Sequence, residues 1–434
     1  MTYFDAEAFL LDLPRFTDQG ALALRPGLER IEALLAGMGY PERSYDSVHV
    51  AGTNGKGSTA SMLAAIGTAS GARVGLHTSP HLHTLRERMR VDGQPASTGW
   101  VAGAVDRHRK LIADVKPSFF EATVALSLLH FAERSVDLAV VEVGLGGRWD
   151  ATNILRPRLA LITRIARDHE ELLGGTPEAI AREKAGIAKE GVPLYTTAEA
   201  GPVLDVIQEE AASRGAPVTV VRDAVSASIR LSDASGLVID LETPLRRYEA
   251  LKLGLAGDHQ LWNAALAVRA AEQVLPEVKA SAEPVIRGLA EVKLLAGIAG
   301  RCEVLEQDPL ILADVAHNAD GLAAALRTLA HLGVGPHTVI LGVMQDKGID
   351  DMADLLVPAG TLVVPVHLPG RRALPAAVLY DRLLARGVNV AQPDGVHDAI
   401  VDFRARARDG EGALVTGSHV TVATARTALG LTSD

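Results

Sequence analysis

The sequence predicts an α/β fold in two parts, an N-terminal domain built on a parallel sheet and a smaller C-terminal Rossmann-like α/β domain. Apolar runs of strand length alternate with longer helical patterns, which is typical of parallel layers. The alternation is interrupted at residues 220–255 and restarts after residue 296. A chain of 434 residues also exceeds one ordinary core. We therefore expect domains at residues 1–296 and 297–434, joined near Leu294–Gly300.

Five apolar runs are predicted as strands of the first domain. The first run leads through a glycine-rich loop into a helical pattern at Lys56–Ser70. Thr176-Pro177 provides an N-cap and a first-turn proline for a helix that we expect to continue to Lys189. Alternating segments at residues 220–255 predict a small antiparallel sheet. The five strands are Ser47–Ala51, Arg73–His77, Asp137–Val143, Arg158–Ile165 and Val192–Thr196.

The second domain shows the same alternation on a smaller scale. Its predicted strands are Leu310–Val315, Thr338–Val343, Thr361–Val366 and Ala413–Thr416. The helical patterns between them are Ala319–Leu332, Ile349–Leu356, Pro375–Arg386 and His397–Arg408. This order predicts a second doubly wound sheet.

Composition and charge exclude several classes of protein. The formal net charge is −10, which disfavours binding to nucleic acid or an anionic membrane. No uncharged apolar run approaches the roughly 20 residues that span a bilayer. The first ten residues lack the basic region of a signal peptide, and the single cysteine, Cys302, excludes an intrachain disulfide. We therefore expect a cytoplasmic protein that uses neither membrane nor nucleic acid as a partner.

The strongest local signal is HVAGTNGKGS at 49–58, between a predicted strand and a predicted helix. Its glycines let backbone N–H groups approach phosphate oxygens, and the helix N-terminus favours negative charge. Lys56 can reach the terminal phosphates and Ser58 can face Mg²⁺. Only two residues separate Gly52 from Gly55, so the loop is a shortened variant of the usual motif. It predicts a P-loop ATPase-type domain, the alternative being a glycine-rich αβ turn.

Two further segments place polar side chains just after predicted strands. EVGLGGRWDATN at 142–153 begins with Glu142, and Asp168-His169 follows the strand at 158–165. In α/β proteins, ligands bind at the edge of the sheet where the carboxyl ends of the strands lie. Lys184 lies nearby amid Ala, Ile and Gly, so it could be a buried amine of low pKa. The alternatives are an ordinary strand-to-loop turn and a lysine that extends to solvent.

TSPHLHTLRERMRV at 78–91 combines an oxygen ligand with positive charge. Ser79 could ligate a hard cation. Arg86, Arg88 and Arg90 alternate as on the face of a strand, which suits capture of an anion. The alternative is a solvated charge run.

Taken in order, these segments make the chain resemble the folylpolyglutamate synthase and dihydrofolate synthase family, a branch of the Mur ligase superfamily. The motifs occur in family order across nearly the whole chain. They are LERIEALL at 28–35, HVAGTNGKGS at 49–58, TSPHL at 78–82, EVGLGGRWDATN at 142–153, LLGGT at 172–176, EKAGI at 183–187, GDHQLWNA at 257–264, GR at 300–301, ADVAHN at 313–318 and GS at 417–418.

The resemblance implies a set of functional residues. It implies an ATP site made by both domains, at Gly55, Lys56, Gly57, Ser58, Asn263, Arg301 and Asp314. It implies Mg²⁺ ligands at Ser79, Glu142 and His169, and catalytic roles for Lys56, Lys184 and His317. Lys184 matches a lysine that family members carry as a carbamate. Substrate contacts are implied at Arg88, Ser118, Phe119, Phe120, Glu121, Trp149, Asp150, Ala151 and Ser418, with Ser418 linked to glutamate.

The implied reaction is ATP-dependent ligation of L-glutamate to a folate or to dihydropteroate through an acyl phosphate. The implied cofactors are ATP, two Mg²⁺ ions and a monovalent cation, and the implied state is a monomer. The chain departs from the family pattern at Ile298-Ala299, Val315 and His419. These changes bear on the predicted shape of the loops more than on the assigned chemistry. The competing hypotheses are a ligase of cell-wall precursors, a nucleotide-binding regulatory module without chemistry, and a P-loop kinase.

Overall fold

The computed structural model describes residues 1–14, 27–333, 337–357 and 361–432, which fold around three sheets. The largest sheet contains β1 Asp46–Ala51, β2 Val74–His77, β3 Met89–Val91, β4 Gln94–Pro95, β5 Leu138–Glu142, β6 Leu159–Ile162, β7 Leu194–Thr196 and β8 Val218–Val220. A three-stranded sheet follows, with β9 Ser226–Asp233, β10 Gly236–Glu242 and β11 Arg247–Leu253. The third contains β12 Glu303–Gln307, β13 Leu310–Ala313, β14 His337–Leu341, β15 Leu362–His367, β16 Asp394–Gly395 and β17 Gly412–Thr416.

The largest sheet is parallel apart from one edge. Its strand order is β4-β3-β2-β5-β1-β6-β7-β8, and only β3 and β4 run antiparallel to their neighbours. The carboxyl ends of β1, β2, β5 and β6 therefore lie at one edge. The phosphate loop, Ser79 and Glu142 come from three of those ends.

Helices cover both faces of this sheet and connect it to the antiparallel one. They are α1 Tyr3–Leu11, α2 Glu29–Gly37, α3 Lys56–Ala69, α4 Thr98–Val115, α5 Phe119–Glu133, α6 Glu170–Leu173, α7 Pro177–Ala185, α8 Pro202–Ser213, α9 Val221–Ala224, α10 Gln260–Val274, α11 Pro276–Ala280, α12 Glu283–Ala290 and α13 Val292–Ala296. Short 3₁₀ turns occur at Pro41–Arg43, Leu85–Arg88 and Ala151–Ile154.

The helix after the phosphate loop is buried on all sides. Every residue from 57 to 67 in α3 is buried, because sheet strands pack on one side and α10, α12 and α13 on the other. A helix without a polar face belongs inside a core. Small side chains permit this packing, since a carbon added to Gly288 of α12 would lie 2.5 Å from the Ile66 backbone. The phosphate loop is thus anchored at both ends by buried elements.

The C-terminal sheet is smaller and has the order β12-β13-β17-β14-β15-β16. All of its neighbouring strands are parallel except the β12–β13 pair. Its helices are α14 Ala319–His331, α15 Ile349–Leu356, α16 Ala376–Ala385, α17 Val396–Arg406 and α18 His419–Ala428. The carboxyl ends of β13, β14 and β17 lead into Asp314, Lys347 and Ser418.

The predicted α/β fold is confirmed, and the predicted strands occur with shifted ends. Helix α7 ends at Ala185 and not at Lys189, because Gly186 and the residues after it turn away. The strand-like alternation predicted for the arginine run is wrong. Arg86 and Arg88 lie in a 3₁₀ turn, since Thr84 and Glu87 form a capping box there, and only Arg90 lies on a strand. We propose the division at residues 1–296 and 297–434, where α13 ends and Gly297 adopts a φ of +68°.

Among the described residues, no helix is long and apolar enough to cross a membrane.

Candidate active site

A cavity of about 680 Å³ lies between the carboxyl edges of the two parallel sheets. Its walls come from the phosphate loop, from the loops after β2, β5 and β6, and from the beginning of the C-terminal domain. The residues predicted for ATP, Mg²⁺ and catalysis all line it. They are Gly55, Lys56, Gly57, Ser58, Ser79, Glu142, His169, Lys184, Asn263, Arg301, Asp314 and His317.

The phosphate loop needs glycine at two positions for different reasons. Gly55 has a φ of +88°, and a carbon added there would lie 2.4 Å from Oδ1 of Asn263. Gly52 has a φ of +147°, and an added carbon would meet Oγ1 of Thr163 at 1.8 Å. The Thr163 hydroxyl donates to the carbonyl of Asn54 at 2.8 Å, which holds the loop against β6. The loop therefore combines a backbone conformation that favours glycine with close neighbours on two sides.

Opposite charges converge at Gly57. A carbon added to Gly57 would lie 3.1 Å from Nη2 of Arg301 and 3.6 Å from both carboxylate oxygens of Glu142. Lys56 Nζ donates to the Thr53 carbonyl at 3.0 Å. Burial lowers the pKa of Lys56, although the carboxylates of Glu142 and Asp168 oppose this effect. Lys56 and Arg301 thus bring positive charge from both domains to the start of α3.

Glu142 is a buried carboxylate without a close ionic partner. It is 3% exposed, and its recorded hydrogen bond is from the Ser79 N–H at 3.0 Å. Among the described residues no Lys or Arg nitrogen lies within 4 Å of it. Burial raises its pKa, while Lys56 and the Ser79 N–H act in the opposite direction. A buried carboxylate facing a cavity suits a bound cation.

His169 is less available than Glu142 as a metal ligand, because both of its ring nitrogens lie near protein side chains. Its Nε2 is 3.4 Å from Nζ of Lys347, and its Nδ1 is 3.8 Å from Asp346. Burial lowers the pKa of His169 to about 4, so the ring is neutral near pH 7. Within the described ranges no group of three His, Cys, Asp or Glu side chains could hold a metal. The metal role of Ser79, Glu142 and His169 stays a prediction.

Lys184 is a buried amine in the same cavity. It is 5% exposed, and burial together with the charge of Lys56 lowers its pKa to about 7. No hydrogen bond to its Nζ is recorded among the described residues. The loop after β5 fixes its position, because an added carbon on Gly147 would lie 2.8 Å from the Lys184 carbonyl. A substantial fraction of this lysine is therefore neutral near pH 7.

Asp168 joins the two domains beside the cavity. It accepts a hydrogen bond from Lys347 at 2.8 Å and one from His317 Nε2 at 3.2 Å. The other ring nitrogen of His317 donates to the Val315 carbonyl at 2.9 Å. The two ring nitrogens of His317 therefore face one oxygen from each domain. Burial alone would raise the pKa of Asp168, but His317, Lys347 and His169 hold it well below its usual range.

Replacing Asp168 with asparagine should destabilise the contact between the domains by about 3–5 kcal/mol, because it removes the close partner of buried Lys347. The carboxylate that then remains near Lys347 is Asp346, at 3.9 Å. The side chains of Asp168 and Lys347 are 9% and 8% exposed. The unfolding midpoint in urea at pH 7 measures this loss. The pKa of Asp168 is lowered on folding, so its contribution is complete at neutral pH and is lost in acid. The difference from the wild type should therefore shrink below pH 4.

Asp320→Asn is the matched control, because Asp320 also crosses between the domains. It pairs with Arg164 at 2.6 Å, and the Arg164 side chain is 56% exposed. Exposed pairs contribute about 0–1 kcal/mol. Equal shifts of the midpoint in the two variants would contradict a special role for Asp168.

Several other predicted residues make structural contacts. Asp314 is 8% exposed, and its carboxylate accepts the N–H groups of Cys302 and Ala316, each at 2.8 Å. Ser418 is the N-cap of α18 and accepts the Thr421 N–H at 3.1 Å. Arg88 is 7% exposed and donates to His81 Nδ1 at 2.9 Å. Neither Ser418 nor Arg88 lines the main cavity.

The predicted folate-side residues also lie outside this cavity. Ser118 and Glu121 form the capping box of α5, and Glu121 pairs with Arg30 at 3.1 Å. Phe119 lies under the Arg88 guanidinium at 5.3 Å, and Phe120 packs on Gly144. The loop residues are Trp149, which is 56% exposed, Asp150, which accepts the Gly144 and Leu145 N–H groups, and buried Ala151. Their roles as substrate contacts remain predictions.

The sequence did not predict a role for Lys347 or for Trp262, an aromatic residue that lines the cavity. Lys347 follows β14 at the carboxyl edge, a position that could have signalled it, but it stands in an ordinary charged loop. Trp262 lines the cavity with the Arg222 guanidinium 4.2 Å from its ring centre. That contact joins residues 40 positions apart and has no local signature.

Family models match both parts of the chain. The Mur ligase middle domain matches residues 50–271, and the Mur ligase, glutamate ligase domain matches residues 300–419. The two parallel sheets and the cavity between them thus have the architecture of a Mur-type ligase.

Curated relatives define the family within that class. The chain is 35% identical to a dihydrofolate synthase/folylpolyglutamate synthase of Mycobacterium tuberculosis, covering 98% of this chain and 95% of the relative. The chain is also 35% identical to a folylpolyglutamate synthase of Lacticaseibacillus casei, over 87% of this chain and 88% of the relative. The chain belongs to the folylpolyglutamate synthase/dihydrofolate synthase family. It also spans half the length of a Haloferax volcanii relative named as a bifunctional folylpolyglutamate synthase/dihydropteroate synthase, at 36% identity over 98% of this chain.

Solved structures share the whole fold. A Mycobacterium tuberculosis folylpolyglutamate synthase complexed with ADP and AMPPCP superposes with a TM-score of 0.88 at 34% identity, covering 99% of this chain and 100% of the other. A bifunctional folylpolyglutamate synthase/dihydrofolate synthase with Mn, AMPPNP and L-glutamate bound superposes with a TM-score of 0.85 at 30% identity, covering 99% and 98%.

Proposed function

We propose that the chain is an ATP-dependent ligase that joins L-glutamate to the carboxylate of a folate, and also to dihydropteroate, through an acyl phosphate. The observation that carries the proposal is the convergence of Lys56, Glu142 and Arg301 around Gly57, in a cavity that both domains line. That arrangement offers cations to a triphosphate and a buried carboxylate to a metal.

The reaction proceeds in two displacements. A carboxylate oxygen of the acid attacks the γ-phosphorus of ATP, the bond to the bridging oxygen breaks, and ADP leaves. The amino nitrogen of glutamate then attacks the carbonyl carbon of the acyl phosphate. Phosphate departs with the former carboxylate oxygen, and the amine gives up its proton as the amide forms.

The chain's own cations reduce the repulsion between these anions. Lys56 lies at the N-terminus of α3, whose first residues line the cavity, and a helix N-terminus favours negative charge. Arg301 approaches the same point from the C-terminal domain. Positive groups fixed before the reaction stabilise charge as it develops on the transferred phosphoryl group. Because they come from different domains, contact between the domains assembles the site and excludes water.

A divalent cation fits the donor set on the N-terminal side. Glu142 is buried without an ionic partner within 4 Å among the described residues, and Ser79 adds a hydroxyl beside it. Oxygen donors of this kind suit Mg²⁺. We propose two Mg²⁺ ions and a monovalent cation, with Ser79, Glu142 and His169 as the metal-binding residues. When bound, the metal neutralises phosphate charge and polarises the transferred group.

Lys184 completes the proposed site as a carbamate. Its amine is buried and its pKa is about 7, so the neutral form that takes up CO₂ is populated. The carbamate replaces a buried cation beside Lys56 with oxygen ligands for the metal side of the cavity. We further propose a monomer in the cytoplasm, where ATP and reduced folates are available.

The test is a substrate panel with purified protein. ADP release should require both L-glutamate and either a folate or dihydropteroate, and mass spectrometry should show an acid heavier by one glutamyl residue. A cell-wall ligase would instead respond to nucleotide-linked precursors. ATP turnover that ignores both the acid and glutamate would refute the proposal.

A further inference from the structure

The loop after β5, residues 144–153, lies between the main cavity and the last turn of α7, which carries Lys184. Gly144 and Leu145 at its start line the cavity. We name residues 144–153 the acid-side loop, because it contains three of the predicted contacts to the acid substrate, Trp149, Asp150 and Ala151.

Asp150 holds the two ends of the acid-side loop together. Its carboxylate accepts the N–H groups of Gly144 at 3.0 Å and of Leu145 at 2.9 Å, at the start of the loop. It also accepts the Thr152 N–H at 2.9 Å and the Thr152 hydroxyl, near the end of the loop. Asp150 is 6% exposed. Because hydrogen bonds to one buried carboxylate join both ends, the loop should move as a unit.

The backbone of the acid-side loop touches the end of α7. The Arg148 N–H donates to the Glu183 carbonyl at 3.0 Å. A carbon added to Gly186 would lie 2.6 Å from Cβ of Arg148, and one added to Gly147 would lie 2.9 Å from Cα of Lys184. These contacts leave no room for a side chain at either glycine. Movement of one segment must therefore displace the other.

Asn153 bridges the two segments through its side-chain amide. The NH₂ group donates to the Arg148 carbonyl at 2.9 Å and to the Gly186 carbonyl at 3.2 Å. Asn153 is 5% exposed, and Lys189 Nζ donates to its backbone carbonyl at 2.8 Å. An NH₂ group has the two donors that two carbonyls need, which neither a carboxylate nor a hydroxyl has. The amide therefore clamps the acid-side loop to the turn that follows Lys184.

Lys184 depends on this clamp for its position. Its amine makes no hydrogen bond among the described residues, so its place in the cavity follows from the backbone of α7. Asn153 itself lines neither the main cavity nor a smaller cavity of about 250 Å³ that adjoins it at Gly57. Asn153 can therefore act on the cavity only through the residues that it holds.

We propose that Asn153 is a positioning residue, which fixes Lys184 in the cavity and transmits to it the binding of the acid at the acid-side loop. The proposal rests on the proposed function, since the acid substrate and the role of Lys184 belong to that function. A bound acid restrains the acid-side loop, and the clamp then restrains the last turn of α7. Lys184 is therefore held most firmly when the acid is present.

The first test replaces Asn153 with aspartate, which keeps the shape of the side chain but sets an oxygen against two carbonyl oxygens. Asn153→Asp should lower kcat by about 10-fold, the scale for losing a buried hydrogen-bond donor, because Lys184 is no longer fixed. KM for ATP should stay within about twofold of the wild-type value. Asn153→Ala removes the amide without adding charge and should lower kcat in the same way, so it serves if Asn153→Asp does not fold.

Cyanate labelling of Lys184 follows its position without turnover. Cyanate adds to a neutral amine, and mass spectrometry of peptides gives the rate at one fixed pH. In wild-type protein freed of CO₂, saturating folate should slow the labelling, because the amine must leave its buried place to react. In Asn153→Asp, folate should still bind, as equilibrium dialysis will show, but should no longer slow the labelling. A general loss of stability would change the rate equally with and without folate.

Lys189→Met is the matched control, because it removes the hydrogen bond to the backbone carbonyl of Asn153 and leaves the amide clamp intact. Lys189 lines neither cavity. This variant should keep the wild-type kcat and the protection of Lys184 by folate. Equal losses of kcat and of protection in Lys189→Met and Asn153→Asp would overturn the proposal, since they would show a general effect on the loop.

The outcomes separate this proposal from the proposed function. A wild-type chain that forms no glutamylated product defeats the proposed function itself. Normal wild-type ligation, with kcat and labelling unchanged in both Asn153 variants, overturns only the positioning role. Folate that protects Lys184 in Asn153→Asp as strongly as in the wild type also overturns it, because the protection would then come from direct cover of the amine.

Discussion

Replacing Lys56 with methionine is expected to lower turnover by about 10²–10³, the usual cost of removing one charge contact from a transition state. Methionine keeps most of the stem that lies in the phosphate loop but removes the ammonium that faces the cavity. Burial already lowers the pKa of Lys56, so the loss of its charge should not weaken the fold. Steady-state ADP release and the thermal midpoint measure the two effects separately.

Lys252→Met is the control for this variant, because Lys252 is an exposed lysine on β11, remote from both cavities. It should retain wild-type turnover. If Lys56→Met also retained turnover within about twofold, the phosphate loop could not have the role proposed for it.

Lys184→Ala should lower turnover by about 10- to 100-fold, the range for losing a group that supports a metal site. Restoring anionic oxygens with formate or acetate should recover part of the activity, because the missing carbamate is the group that these acids replace. Native mass spectrometry of the wild type should show the added mass of one CO₂. Full activity of Lys184→Ala, together with no effect of bicarbonate on the wild type, would refute the modification.

The same assignment predicts a direction for pH. Only the neutral amine takes up CO₂, and burial together with Lys56 places the pKa of Lys184 at about 7. Protein stripped of CO₂ in acid should therefore recover its activity with bicarbonate faster at pH 8 than at pH 6. Lys189 is the matched control, since burial and Arg214 lower its pKa to about 8 but it lines neither cavity. Lys189→Met should recover with the same pH dependence as the wild type.

The sequence predicts the architecture because the pattern is repeated in many elements. Five of the eight strands of the large sheet were predicted from apolar runs, and the carboxyl edge collects Lys56, Ser79 and Glu142 from three strand ends. Parallel topology alone brings such residues together. Residues at these strand ends could therefore be predicted to lie together, whereas those of the C-terminal domain, such as Arg301 and Asp314, followed only from the family resemblance and Trp262 was not predicted.

Local chemistry that depends on distant contacts could not be predicted in the same way. The sequence predicts the arginine run on the face of a strand. In the structure, Thr84 and Glu87 form a capping box, and Arg86 and Arg88 lie in the 3₁₀ turn that it begins. Arg88 is then buried against His81 and Phe119, and only Arg90 reaches a cavity. The pairing of Lys347 with Asp168 joins residues 179 positions apart and has no pattern in the sequence.

The most direct test of the central claim follows one oxygen atom. The acid substrate is prepared with a heavy-oxygen label in its carboxylate and incubated with ATP, Mg²⁺ and L-glutamate. An acyl phosphate requires that one labelled oxygen leave with the phosphate when the amide forms, so the released inorganic phosphate should carry one label for each amide made. Mass spectrometry of that phosphate gives the answer. Unlabelled phosphate beside a fully formed glutamyl amide would contradict the account.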